Sequence, residues 1–196
     1  MKCADGFRSR EITAPLVDEI ARSLTRPVRI MEVCGTHTMS IFRHGIRSLL
    51  PPGLTLLSGP GCPVCVTPAS HVNAFLAAAR LSHVTIATFG DLIRVPGSEG
   101  SLAAARAQGA RVEIVYSPMD GLTLAQAEPE RTVVFPAIGF ETTAPTIAAT
   151  ILQAERLGIE NFLIIAAAKT MPQALDALMA DPELQVDGLL CPGHVS

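Results

Sequence analysis

The sequence predicts an α/β fold built on a largely parallel sheet. Apolar runs of strand length alternate along the chain with segments of helical periodicity. Loops rich in glycine, proline, cysteine and threonine follow several of these runs directly. This alternation is typical of βαβ units. The predicted strands are residues 28–33, 54–58, 84–88, 111–116, 132–138, 162–167 and 187–190.

Helical periodicity predicts helices around and between these strands. Near the N-terminus an apolar residue recurs at every fourth position, at Ile12, Leu16, Ile20 and Leu24. A second segment, opened by Pro68, carries one apolar stripe formed by Val72, Phe75, Leu76 and Ala79. Pro145 lies where a further helix would begin, after Thr142 and Thr143 as candidate caps.

Composition limits the possible function. The chain has 196 residues, 48% of them hydrophobic and 17% charged, with a net charge of −3, which describes a globular chain and not a nucleic-acid binder. Residues 1–10 are polar and charged, without the hydrophobic core of a signal peptide, and no apolar run approaches ~18 residues. We therefore expect a cytoplasmic protein without membrane or nucleic-acid partners.

The five cysteines are Cys3, Cys34, Cys62, Cys65 and Cys191. In the reducing cytoplasm they are not expected to form a structural disulfide framework. Redox, catalytic or metal-binding roles are favoured instead.

Two of the cysteines form a CxxC motif directly after the predicted strand 54–58. Cys62 and Cys65 lie within 59–68, a stretch rich in glycine and proline. Glycine amides and a following helix N-terminus favour the thiolate form of cysteine, which is the reactive one. The spacing lets the two sulfurs form a disulfide, as a two-electron couple, or bind one metal ion.

A second motif, Cys34-Gly35-Thr36-His37-Thr38, follows the predicted strand 28–33. Because parallel strands end at the same edge of a sheet, we expect three cysteines and His37 to converge on one cleft. Taken literally, Cys34, His37, Cys62 and Cys65 have zinc-ribbon spacing. The residues after each pair, however, are patterned as helix starts and not as the hairpins that usually carry such sites.

Two further loops follow strands, Gly139–Pro145 and Cys191–His194. Glu141 places a carboxylate where it could orient a histidine or exchange a proton, or it could complement a helix dipole. Cys191 could serve packing or function. The turn-forming residues near 118–129 indicate a domain boundary. Because the last strand lacks a covering helix, residues 1–196 are expected to be a fragment of a longer protein.

Five motifs occur in order over residues 30–196: CGTHT, GPGCPVCVTP, TFGDLIRVPG, GFETTAPT and CPGHVS. Together they resemble the HypD family of hydrogenase maturation proteins. The resemblance covers essentially the whole chain and about the first half of the family's usual length. The family's 4Fe-4S cluster has its cysteine ligands in the part that would follow.

The resemblance implies a metallocofactor assembly factor rather than a turnover enzyme, one that helps build the Fe(CN)2CO group of nickel-iron hydrogenases. Cys34 would hold iron together with a cysteine of a HypC-type chaperone, assisted by His37. Cys62 and Cys65 would be a redox pair, and a HypE-type partner would deliver cyanide as a thiocyanate. The residues expected to line the site further are Gly35, Thr36, Thr38, Gly61, Glu141, Thr142, Thr143 and His194.

The resemblance also implies two Rossmann-like lobes with an active cleft between them. We expect an N-terminal helical segment at 1–27, a first lobe at 28–118 with both cysteine motifs, and a second lobe at 119–196. The second lobe would carry the GFETTAP and CPGHVS motifs and be truncated at its C-terminus.

Two other functions stay open. A thiol-disulfide oxidoreductase using Cys62 and Cys65 would act without metal and give Cys34 no essential role. A zinc-stabilised α/β binding module would hold zinc stoichiometrically and unfold with a chelator.

Overall fold

The computed structural model describes residues 9–192 and has the predicted α/β architecture. Each predicted strand is present, and its ends differ from the predicted ones by no more than two residues. The strands are β1 (Val28–Glu32), β2 (Leu54–Ser58), β3 (Val84–Thr88), β4 (Arg111–Ile114), β5 (Thr132–Ala137), β6 (Phe162–Ala166) and β7 (Gly188–Leu190). Their pairings are all parallel and form two sheets.

Helices lie between the strands, as the periodicity predicts. They are α1 (Arg10–Ser23), α2 (Gly35–Arg43), α3 (Ile46–Leu49), α4 (Ala69–Ala79), α5 (Leu102–Ala107), α6 (Pro118–Ala127), α7 (Ala144–Leu157) and α8 (Met171–Met179). None of the helices in residues 9–192 is long and apolar enough to cross a membrane.

Local sequence explains where several helices begin. Ser117 accepts a hydrogen bond from the Met119 amide, and Asp120 accepts one from the Ser117 amide, which makes a capping box at the start of α6. Pro145 lies in the first turn of α7, as predicted, because that position needs no amide donor. Thr143 precedes α7, but its hydroxyl does not cap the helix.

The chain divides into two compact units. Within the described residues, unit 1 comprises 9–62 and 178–192, and unit 2 comprises 63–177. The sheet of unit 1 has the strand order β2-β1-β7. At its end, Glu32 of β1 is in register with Ser58 of β2 on one side and with Leu190 of β7 on the other. Strand β1 is therefore the centre of this sheet.

A carboxylate joins β7 to β1. Asp187, just before β7, accepts hydrogen bonds from the Arg29 backbone amide (2.7 Å) and from the Arg26 guanidinium (2.6 Å). Its own amide donates to the Arg29 carbonyl (2.7 Å). These bonds lower the pKa of Asp187, the Arg29 amide contributing most and the Arg26 side chain next.

Unit 2 has the strand order β4-β3-β5-β6 and an apolar core on both faces of its sheet. Neighbouring residues of β5 alternate between these faces, with Val134 in one core and Val133 and Phe135 in the other. Helices α4 and α5 contribute to the first core, and α6 and α7 contribute to the second. The unit is thus doubly wound.

The observed division differs from the lobes expected at 28–118 and 119–196. Strands β3 and β4 share a sheet with β5 and β6, so the chain does not divide near residue 118. Strand β7 pairs with β1, which places the start of the CPGHVS motif in unit 1 and not with GFETTAP. Helix α1 lies within residues 1–27, where the N-terminal helical segment is expected, and residues 1–8 lie outside the described residues.

Replacing Asp187 by asparagine tests its bonds to the β1 segment. A carboxylate whose pKa is lowered in the folded state adds stability above its unfolded pKa of about 4. That stability is lost as the pH falls through the lower, folded pKa. We expect Asp187→Asn to lower the urea midpoint at about pH 7, and the wild type to approach the variant at about pH 3.

The matched control is Asp176→Asn on α8, an exposed carboxylate without a hydrogen bond or ion pair in the described part of the chain. It should leave both midpoints close to those of the wild type. An equal gap between wild type and Asp187→Asn at both pH values would contradict the proposed pH dependence.

Candidate functional site

Three cysteine-bearing loops leave the same end of the unit 1 sheet. Cys34 comes two residues after β1, Cys62 four residues after β2, and Cys191 directly after β7. Because these strands are parallel, the loops share what we call the carboxyl edge of unit 1, formed by residues 33–37, 59–62 and 191–192. Chain order reverses at β1, between β2 and β7, and such switch points are where open α/β sheets bind ligands.

Glycines bring two of these loops into direct contact. A Cβ on Gly61 would lie 2.7 Å from the Cys34 carbonyl carbon and 3.0 Å from its Cα, and closer still to the Gly35 nitrogen. The Gly59 amide donates to the Glu32 carbonyl (2.7 Å). The absence of a side chain at Gly61 therefore lets the CxxC loop lie against the backbone of the Cys34 loop.

Cys34 is held half-buried at the start of α2. It is the N-cap residue, with extended backbone angles (φ −153°, ψ 123°), and carries a free thiol. Cys34 is therefore presented at the N-terminus of α2. The Thr38 hydroxyl donates to the Cys34 carbonyl (3.4 Å) and so supports the loop, whereas Gly35 and Thr36 are exposed.

His37 lies in the first turn of α2 and is half-buried. Its Nδ1 is buried and has no hydrogen-bond partner in the described residues. Such an atom is normally satisfied by water, an ion or a ligand. His37 is therefore available to bind a group entering from the edge.

The two cysteines of the CxxC motif lie in different surroundings. Cys62 is half-buried, is the last residue of unit 1, and carries a free thiol, so it is not in a disulfide with Cys65. Cys65 is exposed and belongs to unit 2, in the turn that precedes α4. The Thr67 hydroxyl closes this turn by donating to the Pro63 carbonyl (2.8 Å).

The zinc-ribbon arrangement is not formed by these side chains. Among residues 9–192, no three histidine, cysteine, aspartate or glutamate side chains lie together so that they could hold a metal ion. In particular, Cys34, His37 and Cys62 of unit 1 share an edge without forming a closed site. A metal bound by Cys34 and His37 would need further ligands from elsewhere.

A charged cluster with a fully buried carboxylate lies at the end of β1, two residues before Cys34, and it was not predicted from the sequence. Glu32 is completely buried, and its Oε1 accepts hydrogen bonds from Ser58 Oγ (2.9 Å) and Arg47 Nη2 (3.1 Å). The other oxygen, Oε2, is buried without a partner in the described residues. The only sign of it in the sequence is a glutamate inside an apolar strand run, two residues before the CGTHT motif begins.

For Cys191, the sequence leaves both a packing role and a functional role open. It is exposed, carries a free thiol, and follows a strand whose Leu190 carbonyl accepts from the Val33 amide (3.2 Å). It therefore belongs to the same edge as Cys34. His194 lies outside the described residues.

Glu141 and the neighbouring threonines lie at the carboxyl ends of strands of unit 2. Glu141 Oε1 accepts from the Met171 amide (2.8 Å) at the start of α8, and its Oε2 is buried without a partner in the described part of the chain. The carboxylate therefore caps α8 instead of complementing α7. Gly139 is required beside Thr143, because an added Cβ would lie 2.7 Å from the Thr143 hydroxyl oxygen.

The sequence is similar to a known family over nearly its whole length. Residues 11–196 match the model of the HypD family, described as a hydrogenase formation hypA family. Among curated proteins, the chain is 46% identical to the hydrogenase maturation factor HypD of Rhodobacter capsulatus over 203 residues. The corresponding proteins of Escherichia coli (strain K12) and Azotobacter vinelandii are 44% and 47% identical.

These alignments cover 100% of this chain and 54% of each of the three relatives. The chain therefore spans about half the length of the curated relatives it matches.

The contact between Gly61 and the Cys34 loop can be tested with Gly61→Ala. Because the added methyl group would meet backbone atoms, the loop must move, and we expect a loss of about 1–3 kcal/mol in unfolding free energy. The displaced loop should also change the rates at which iodoacetamide modifies Cys34 and Cys62, measured by peptide mass spectrometry.

Gly188→Ala is the matched control, because an added Cβ there meets no atom within 4 Å. It should change stability by less than about 0.5 kcal/mol and leave both rates unaltered. Identical behaviour of the two variants would show that the loops do not depend on this contact.

Proposed function

Because the chain belongs to the HypD family, we propose that it acts in nickel-iron hydrogenase maturation, as a scaffold and redox component that assembles the Fe(CN)2CO group. The observation that carries this proposal is the carboxyl edge of unit 1, where Cys34, His37 and Cys62 share one sheet end. Relatives that this chain resembles are named hydrogenase maturation factors. We place this activity in the cytoplasm, where reducing conditions preserve thiols.

Iron is the cargo in this proposal, and Cys34 is its anchor. The half-buried free thiol at the N-terminus of α2 supports the role, because cysteine sulfur is a ligand that suits iron. His37, with its buried and unpartnered Nδ1, is proposed to assist at the iron. The chain offers no third ligand beside them among the described residues. A cysteine of a HypC-type chaperone and the diatomic ligands would complete the coordination.

Cys62 and Cys65 are proposed to supply the electrons for cyanide transfer. A HypE-type partner would present a thiocyanate, R–S–C≡N. The dithiol gives two electrons and two protons to this group and becomes a disulfide. The sulfur–carbon bond breaks, which yields R–SH and hydrogen cyanide. After loss of its proton, cyanide binds iron through the lone pair on carbon.

The implied 4Fe-4S cluster would supply electrons to restore the dithiol. The described residues do not offer a site for it, because no three cysteine or other metal-binding side chains lie together. Its ligands are therefore expected outside this chain, and the steps given above do not pass through it.

Residues of unit 2 are proposed to contribute as well. Glu141 could exchange a proton through Oε2, which is buried and lacks a partner in the described residues. The hydroxyls of Thr142 and Thr143 make no hydrogen bond in that part of the chain and remain available as donors. In unit 1, the further residues proposed to bind a ligand are Gly35, Thr36, Thr38 and Gly61, and His194 lies outside the described residues.

The test is anaerobic copurification with a HypC-type partner, followed by iron and zinc analysis and infrared spectroscopy of the cyanide and CO stretching region. The wild type should hold iron and show both kinds of band. Cys34→Ala should lose iron and all bands, because the anchor thiolate is gone. Cys65→Ala should keep iron but lose the cyanide bands, because no disulfide can form.

Cys191→Ala is the control, since it removes another thiol from the edge of unit 1 that carries Cys34. It is expected to retain iron and bands. Stoichiometric zinc without bands in the wild type would refute the assembly role. Metal-independent thiol-disulfide exchange that persists in Cys34→Ala would favour the oxidoreductase instead.

A further inference from the structure

The burial of Glu32 calls for an explanation. Its side chain is completely buried at the end of β1, where the strand pattern would accommodate an apolar residue. A buried ion pair is often no more stabilising than well-packed hydrophobic side chains of similar volume. Glu32 also keeps one oxygen without a partner in the described residues, which adds an uncompensated desolvation cost. Stability alone therefore does not account for a carboxylate here.

What Glu32 provides is a fixed position for Arg47. Arg47 Nη2 donates to Glu32 Oε1 (3.1 Å) and to Ser58 Oγ (2.9 Å), and Ser58 Oγ in turn donates to Glu32 Oε1 (2.9 Å). The three groups form a closed triangle around one guanidinium nitrogen. Because Glu32 and Ser58 are register partners at the ends of β1 and β2, the guanidinium is held at the sheet end.

Most of the donor capacity of Arg47 remains unused. A guanidinium has five N–H groups, and those on Nη2 serve Glu32 and Ser58. The N–H groups on Nε and Nη1 make no hydrogen bond within residues 9–192, and the side chain is 51% exposed. A guanidinium that is fixed through Nη2 and keeps its Nε and Nη1 donors unbonded is suited to bind an anionic acceptor.

Arg47 binds the residue that stands two positions before the proposed iron anchor, Cys34. Cys34, two residues after the end of β1, has extended backbone angles, and residues two apart in an extended chain project from the same face, roughly 7 Å apart. Glu32 and Cys34 therefore project from one face, with Arg47 against the first of them. The contact of Gly61 with the Cys34 backbone lies beside the same strand ends.

We propose that Glu32 and Ser58 are positioning residues that hold the Arg47 guanidinium beside Cys34, where it donates a hydrogen bond to the nitrogen of a cyanide ligand on iron. This proposal rests on the function proposed above and names a residue that recognises the cargo. Metal-bound cyanide carries negative charge and a lone pair on its outer nitrogen, which makes it a strong acceptor for a guanidinium. Bound CO lacks that charge, so Arg47 distinguishes the two kinds of diatomic ligand.

A purely structural role for Arg47 predicts something different. If Arg47 only neutralised Glu32, any cation at this position would serve. Replacing arginine by lysine would then leave the cyanide band on iron unchanged. A lysine can keep the ion pair but lacks the planar set of additional donors. The comparison of Arg47→Lys with Arg47→Gln therefore separates charge compensation from ligand recognition.

The experiment records infrared spectra of the chain copurified with the HypC-type partner, together with iron content and the urea midpoint. Arg47→Lys and Arg47→Gln should retain iron, because Cys34 is intact, but should shift a cyanide band relative to the wild type. The CO band should move less. Ser58→Ala, which removes one of the two anchors, should broaden the same cyanide band because the guanidinium is less fixed.

Arg43→Gln is the matched control, since it removes an exposed arginine from the last turn of α2 without touching the cluster. Its spectrum should equal that of the wild type. A cyanide band at the wild-type position in Arg47→Lys would overturn this inference and leave the assembly role standing. A wild type without iron-bound cyanide would overturn both. Should Arg47→Gln fail to fold, Arg47→Lys decides alone, because it preserves the ion pair.

Discussion

The parallel pairing of β1 with a neighbour on each side is the constraint on which the site depends. Its hydrogen bonds to β2 and β7 make three chain segments, distant in sequence, end at one sheet edge. Cys34, Cys62 and Cys191 lie within four residues of those ends. The return of β7 is secured by Asp187, whose carboxylate and backbone both bond to the β1 segment. Without this pairing, Cys191 and Pro192 at the start of the CPGHVS motif would have no fixed position relative to CGTHT.

Much of this arrangement is encoded locally and could be predicted. The strands are apolar runs bounded by glycine and proline, so their positions were confirmed almost to the residue. The loop after β1 and the loop after β2 meet because parallel strands share an edge, and the glycine at position 61 permits close approach. The family motifs lie on the same loops, and for that reason the sequence predicts a site there.

What could not be predicted depends on long-range pairing. The division at residues 62 and 177 follows from β3 and β4 joining the sheet of β5, and from β7 returning to β1. No local pattern specifies which strands become neighbours. The Glu32 cluster could not be predicted for a related reason. Its partners come from other elements, Arg47 from a four-residue helix and Ser58 from another strand. One charged residue in an apolar run gives no sign of its partners.

The two units differ in how many hydrophobic side chains they bury. In the described residues, unit 2 holds nearly all buried hydrophobic side chains, whereas unit 1 buries Met31 and Val33 and, between them in sequence, Glu32. A unit with so small an apolar core gains little from a buried carboxylate, yet places one at the end of its central strand. A buried carboxylate at this position is explained if its role is to hold Arg47 at the end of β1. Burying Glu32 then serves to fix the Arg47 guanidinium at the end of a strand that is paired on both sides, two residues before Cys34.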